Sequence, residues 1–154
     1  MALLSGHRFQ VEFDTAFPHG VFACKVQQAE DYNERTRRRT PAKDERTGLL
    51  IWTVTCIDRD PEARSNEVKI KVLAEHQPVL PGEVAPGTGM HPVVFSDLTV
   101  TPYVAEGAPG RRPQLAYSYR STGMRALGKA PAAPAPGRGS GQAPSGGPGD
   151  GKAA

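Results

Sequence analysis

The sequence predicts an all-β domain, a small antiparallel barrel (OB-like) or a sandwich of about six or seven strands, followed by a disordered C-terminal tail. Three observations predict it. Residues 48–73 hold two strand-like apolar runs joined by a polar turn. Further short runs of alternating or β-branched residues recur along the chain, separated by Gly- and Pro-rich punctuation. No stretch carries the 3.6-residue apolar period of an amphipathic helix.

The elements follow in order. Residues 8–13 alternate strictly, with Phe9, Val11 and Phe13 on one face, which predicts a half-buried strand. Phe17-Pro18-His19-Gly20 ends it, because Pro18 lacks a donor and Gly20 permits a positive φ. A strand over 21–26 follows, and the two are expected to form a meander with this turn as its corner. Residues 29–47 are charged and nearly free of large apolar side chains, Tyr32 excepted. They read as a long, mobile hairpin-type connection ending in the turn at 44–48.

The central strand is 49–57. Alternation puts Leu50, Trp52, Val54 and Cys56 on one face and Leu49, Ile51, Thr53, Thr55 and Ile57 on the other. Both faces are apolar or threonine, so cover on both sides is expected. Asp60, Pro61 and Glu62 give a helix-start signal for one or two turns at most. Residues 67–73 then form a strand with Val68, Ile70 and Val72 inward and Lys69 and Lys71 outward, antiparallel to the central strand. Residues 77–92 are an irregular Pro/Gly crossing. Residues 93–95 and 98–104 make one broken strand or two short ones, 106–113 a turn, and 115–120 the last strand, with Leu115, Tyr117 and Tyr119 on one face.

The ordered domain is expected over 1–125 and the tail over 126–154, where 13 of 29 residues are Pro or Gly and Leu127 is the one large apolar side chain. Such a segment buries too little surface to offset its ordering entropy. Without the tail's Lys129, Arg138, Lys152 and Asp150, the formal net charge of +3 falls to +1 for the body. A nearly neutral body argues for nucleic-acid binding only where cations cluster locally. Cys24 and Cys56 lie in predicted strands without a CxxC partner and read as small buried hydrophobes, with a disulfide as the other reading. The N-terminus lacks the apolar core of a signal peptide and no run is long enough to span a bilayer, so a cytoplasmic protein is expected.

The chain offers little to catalysis and is expected not to be an enzyme. His7, His19, His76 and His91 lack the i, i+4 spacing of a zinc helix, and no nucleophile elbow, phosphate loop or dinucleotide fingerprint occurs. Asp58, Asp60 and Glu62 lack the glycine and twelfth-position glutamate of a calcium loop, so neither metal nor cofactor is expected. For nucleic acid the residues offer more. OB-type barrels bind single strands by stacking bases on aromatics within a basic groove. Tyr103, Tyr117 and Tyr119 are candidate platforms. Lys69, Lys71, Arg111, Arg112, Arg120 and Arg125 are candidate phosphate partners, and Arg37, Arg38 and Arg39 a phosphate-gripping stretch of the charged connection. Tyr117 and Tyr119 have a competing reading as core residues with their hydroxyls at the rim.

A set of short motifs occurs in one order: Phe17-Pro18-His19-Gly20; Asp44 with Thr47-Gly48 and Trp52-Thr53-Val54; Asp58-Arg59-Asp60-Pro61; Val68 to Val72; Gln77-Pro78-Val79; Val94-Phe95 with Leu98 to Val104; and Leu115 to Arg120 with Gly123 to Ala126. In this order and spacing the chain resembles the plasmid replication, integration and excision activators of actinomycete integrative conjugative elements (the Pra-type family). Leu50 departs from the pattern, which has a proline after the Thr-Gly turn. The resemblance implies a non-enzymatic accessory protein of a mobile element, with no catalytic residue and no metal. It would act either by binding DNA, as a single strand or at the element's control region, or by recruiting replication or excision proteins. An OB-like single-stranded DNA-binding protein without a regulatory role is the alternative.

Overall fold

The computed structural model of the chain describes residues 6–128. A short β1 (Phe9–Gln10) leads into a single helical turn, α1 (Phe13–Ala16), and then β2 (Val21–Gln28). A hairpin of β3 (Glu30–Asn33) and β4 (Arg38–Pro41) precedes β5 (Ile51–Asp58) and β6 (Glu67–Leu73). After the irregular crossing come β7 (His91–Ser96), β8 (Thr99–Ala105), β9 (Gln114–Ser121) and β10 (Gly123–Ala126). Eight strands form one curled sheet in the order β1-β8-β9-β6-β5-β2-β7-β10, and β3–β4 form a separate two-stranded sheet. Among the described residues no helix is long and apolar enough to cross a membrane.

β5 is central, antiparallel to β2 on one side and β6 on the other. Its Trp52, Val54 and Cys56 are buried with Ile70 and Val72 of β6, Val21 and Ala23 of β2, Val93 and Phe95 of β7, and Leu98. Removing each large aliphatic side chain from water contributes on the order of 1.5–3 kcal/mol. The Trp52 indole N–H donates to the Ala74 carbonyl at 3.0 Å, so its polar edge is satisfied. On the other face of β5, Ile51 packs with Ala42 and Leu73 in a second, smaller cluster. Thr53, Thr55 and Ile57 are only half-buried, so cover on that face is confined to one end. Both cysteines are free thiols; Cys56 is buried, which pushes its pKa up to about 12, and Cys24 is half-buried.

β7 and β8 are nearly one strand, separated by Asp97 and Leu98, with Asp97 at φ 48°. β7 pairs with β2, whereas β8 pairs with β9, both antiparallel. β9 runs parallel to β6, placing Ile70 level with Tyr119 and Lys71 level with Arg120. Pairing therefore passes from β2 through β5, β6 and β9 to β8, and the bend at Asp97 returns the chain to β7 beside β2. The buried Ser121 hydroxyl donates to the Ser96 carbonyl at 2.6 Å, and Thr122 donates to the Asp97 carboxylate at 2.8 Å, fixing that bend.

Several expectations are corrected. The predicted strand over 8–13 is two residues long, because the chain turns helical at Phe13. Phe13 and Phe17 then share a helical face, are both buried, and meet at 5.7 Å between ring centroids, while Phe9 stays exposed. β1 pairs with β8, so the first two strands form no meander. The Phe-Pro-His-Gly turn itself stands, with Gly20 at φ 77° and its N–H on the Phe17 carbonyl at 2.9 Å. No helix follows Asp60. Asp58 accepts from the Asp60 N–H and Asp60 from the Glu62 N–H, at 3.0 and 2.9 Å, and the one backbone bond, from the Ala63 N–H to the Asp60 carbonyl at 3.2 Å, closes a single turn. The charged connection over 29–47 is a hairpin as expected, with β3 and β4 paired antiparallel. Among the described residues the strands number ten, and the parallel β6–β9 pair makes the larger sheet mixed. The expected boundary at 125/126 falls inside β10, and the tail residues from 129 onward, including Lys129, Arg138 and Lys152, lie outside the described residues.

Candidate nucleic-acid interface

Strand alternation divides the candidate residues between two faces. Tyr119 is level with Ile70 and Val100, on the core face; Arg120 is level with Lys71 and Thr99, on the opposite face. Counting along the strands puts Thr101, Tyr103, Ser118, Lys69 and Lys71 with Arg120. This face borders an open trough of about 1500 Å³, whose other walls are Arg8 and the base of the β3–β4 hairpin at Ala29, Glu30, Asp31, Ala42 and Lys43. Its lining carries six cationic side chains against four carboxylates. Glu30 lies 3.7 Å from Arg39, and Glu67 lies 3.9 Å from Lys69.

Tyr103, half exposed, is on the trough face. Tyr117 and Tyr119 are on the other face of the β8–β9 ribbon, so the three tyrosines do not make one platform. Tyr119 packs 5.2 Å from Phe17 against the core, and burial, reinforced by Tyr117 and Asp58, pushes its hydroxyl pKa up. Tyr117 is exposed beside Leu115 and Val104, because β9 pairs with β6 only from Tyr119 onward. Leu115, Tyr117 and Tyr119 still border the trough.

The residues that sequence reasoning missed are Asp44 and Arg8. Asp44 opens the tight turn before β5: the Gly48 N–H meets its carbonyl at 2.7 Å, with Gly48 at φ 71°. The Thr47 N–H and hydroxyl both donate to Asp44 Oδ2 at 3.1 Å. Oδ1 accepts from Arg8 Nη2 at 2.6 Å and from Arg120 Nη1 at 2.5 Å, and the carboxylate is wholly buried. Burial pushes this carboxyl up, but the hydrogen bonds from Arg8 and Thr47 outweigh it and hold the pKa at about 2. One buried carboxylate thus ties the N-terminal segment, the β4–β5 turn and β9 together. Nearby, burial and then the Arg120 charge push the Lys71 ammonium pKa down, while Asp31 acts the other way.

The remaining candidates are dispersed. Arg37 sits at φ 52° in the tip of the β3–β4 hairpin, with Arg38 and Arg39 on exposed β4. Arg111 and Arg112 are exposed in the β8–β9 turn. Both groups ride on hairpins whose bases border the trough. Arg125 is elsewhere: on β10, level with Val94, it lines a separate hollow of about 390 Å³ with Gln10, Glu12, Asp14 and Asp97. The structure brings Lys69, Lys71, Tyr103, Tyr117, Tyr119 and Arg120 to one region and sets Arg125 apart. Comparison with protein-family models, with characterised proteins and with solved structures finds no match for this chain.

Proposed function

We propose that the chain is an OB-type module that binds single-stranded nucleic acid, and that it serves as a non-enzymatic activator of replication, integration and excision of an actinomycete mobile element. The pairing supports the first part. A β2-β5-β6 meander, a parallel neighbour in β9, and a bent β7–β8 strand that reaches back to β2 are compatible with the strand plan of an OB barrel. In such barrels the face of the second and third strands, with the connections flanking it, takes oligonucleotides. On this reading those parts are the outer face of β5–β6, the arginine-bearing β3–β4 hairpin and the Arg111-Arg112 turn. The observation that carries the reading is the trough bordered by β6, β8 and β9, which is lined by Lys69, Lys71 and Arg120 and, four residues along β8 from the level of Arg120, by exposed Tyr103. The biological role is carried by the ordered sequence motifs.

A second reading, recruitment of a replication or excision protein, is favoured by the exposed ribbon of Val104, Leu115 and Tyr117. Fluorescence anisotropy of a labelled oligothymidylate, and of a duplex from the element's control region, separates the two. The expected result is salt-sensitive binding of the single strand in preference to the duplex, weakened roughly fivefold or more by Tyr103→Ala, since one stacked base is worth about 1–3 kcal/mol. Absence of binding at low salt would remove the nucleic-acid reading and leave the protein partner.

A further inference from the structure

The charge around Asp44 does not balance. Arg8 and Arg120 share one oxygen of a single carboxylate, and their side chains are only 16% and 23% exposed. Two guanidinium groups and one carboxylate leave one positive charge in a site largely shielded from water. Lys71 adds another, because it is level with Arg120 on the adjacent strand and turned to the same face. Asp31, on exposed β3, offsets part of this, while Glu30 and Glu67 lie beside Arg39 and Lys69 and the remaining lining carboxylate, Glu45, is exposed. Like charges held together with reduced solvent screening repel strongly, so the arrangement favours an anion between them. Each guanidinium engages Asp44 through one nitrogen, and the group carries five N–H donors in a fork that suits a phosphate.

We propose that Arg8, Lys71 and Arg120 form a seat for one phosphodiester of a single strand lying in the trough. The phosphodiester brings one negative charge, which offsets one of the two positive charges that Arg8, Arg120 and Lys71 leave after Asp44, and two free oxygens that can accept from N–H groups not engaged by Asp44. Tyr103, on the same face, is then placed to stack a base of that strand. The proposal rests on the single-strand reading above, and it adds Arg8, which precedes the barrel strands, to the binding residues.

The test uses the full chain. Anisotropy of labelled oligothymidylate is measured over a salt series for wild type, Lys71→Gln and Arg8→Gln, with near-ultraviolet circular dichroism of buried Trp52 reporting the fold. Each variant is expected to bind roughly threefold to tenfold more weakly and to flatten the log–log salt slope by about 0.7, the increment for one phosphate contact on a single strand. Lys71→Gln leaves both arginines on Asp44, so it reads the seat even if Arg8→Gln fails to fold. In parallel, the arginine Nε–H signals of wild type are followed by NMR as inorganic phosphate, and separately an abasic oligonucleotide, is added. Shifts at Arg8 and Arg120 with the abasic strand at lower concentration than with phosphate support a phosphodiester seat; the reverse order makes it a site for free phosphate. Oligothymidylate binding with an unchanged slope in Lys71→Gln would overturn the seat while the single-strand reading stands. Arginine shifts with phosphate but no oligothymidylate binding would remove the single-strand reading and overturn the phosphodiester seat with it, leaving a site for free phosphate.

Discussion

Two buried regions of this molecule are built on opposite principles. The apolar cluster of Val54, Cys56, Ile70, Val72 and their neighbours is assembled from every second residue of adjacent strands. The Asp44 site is assembled from one carboxylate and two arginines that lie 36 and 76 positions away along the chain. Apolar burial is non-directional, so the first region loses stability roughly in proportion to what is removed. The polar site is directional and charged, and it works only when its members are all present. The second region also faces the trough, so its constraint is felt where binding is proposed.

The largest effect expected from breaking this contrast is at Asp44. Asp44→Ala leaves two arginines shielded from water without their carboxylate and is expected to cost about 4 kcal/mol in urea unfolding. Ile70→Ala, the corresponding change in the apolar cluster, is expected to cost about 3 kcal/mol, with partial collapse of neighbouring side chains limiting the loss. Acid unfolding sharpens the comparison at smaller scale. The Asp44 carboxyl is lowered from 3.8 to about 2 in the folded chain. Because the folded-state value is the depressed one, its contribution of about 2 kcal/mol is complete above roughly pH 4 and is lost as pH falls toward 2. That loss should be present in Ile70→Ala and missing in Asp44→Ala, which stability curves between pH 2 and 5 would read out.

The same contrast explains what the sequence made legible. β5 and β6 were readable because their alternation records burial directly: Trp52, Val54 and Cys56 inward, Lys69 and Lys71 outward. The helical turn at Phe13 was not, since Phe9, Val11 and Phe13 satisfy a strand pattern while Phe13 and Phe17 satisfy a helical one. Tertiary packing chose the latter. Asp44 was readable as a turn residue, from the Asp-x-x-Thr-Gly spacing, but nothing local marks a carboxylate that will meet Arg8 and Arg120. Tyr103 and Tyr117 look equivalent in sequence. Their separation onto two faces depends on the Ala105–Gln114 register across a Gly- and Pro-rich turn, and a shift of one residue there would bring both to one face. Lys69, Lys71 and Arg120 were legible as outward cations; their convergence depends on the parallel β6–β9 pair, which joins segments distant in the chain.

The most direct test of the account is amide chemical-shift mapping of the isotopically labelled full chain during titration with an oligothymidylate. The account predicts shifts concentrated at Lys69 and Lys71 of β6, Thr101 and Tyr103 of β8, Ser118 and Arg120 of β9, and the β3–β4 hairpin, with Arg125 on β10 unaffected. Shifts confined to β7 and β10, or none at low salt, would contradict it.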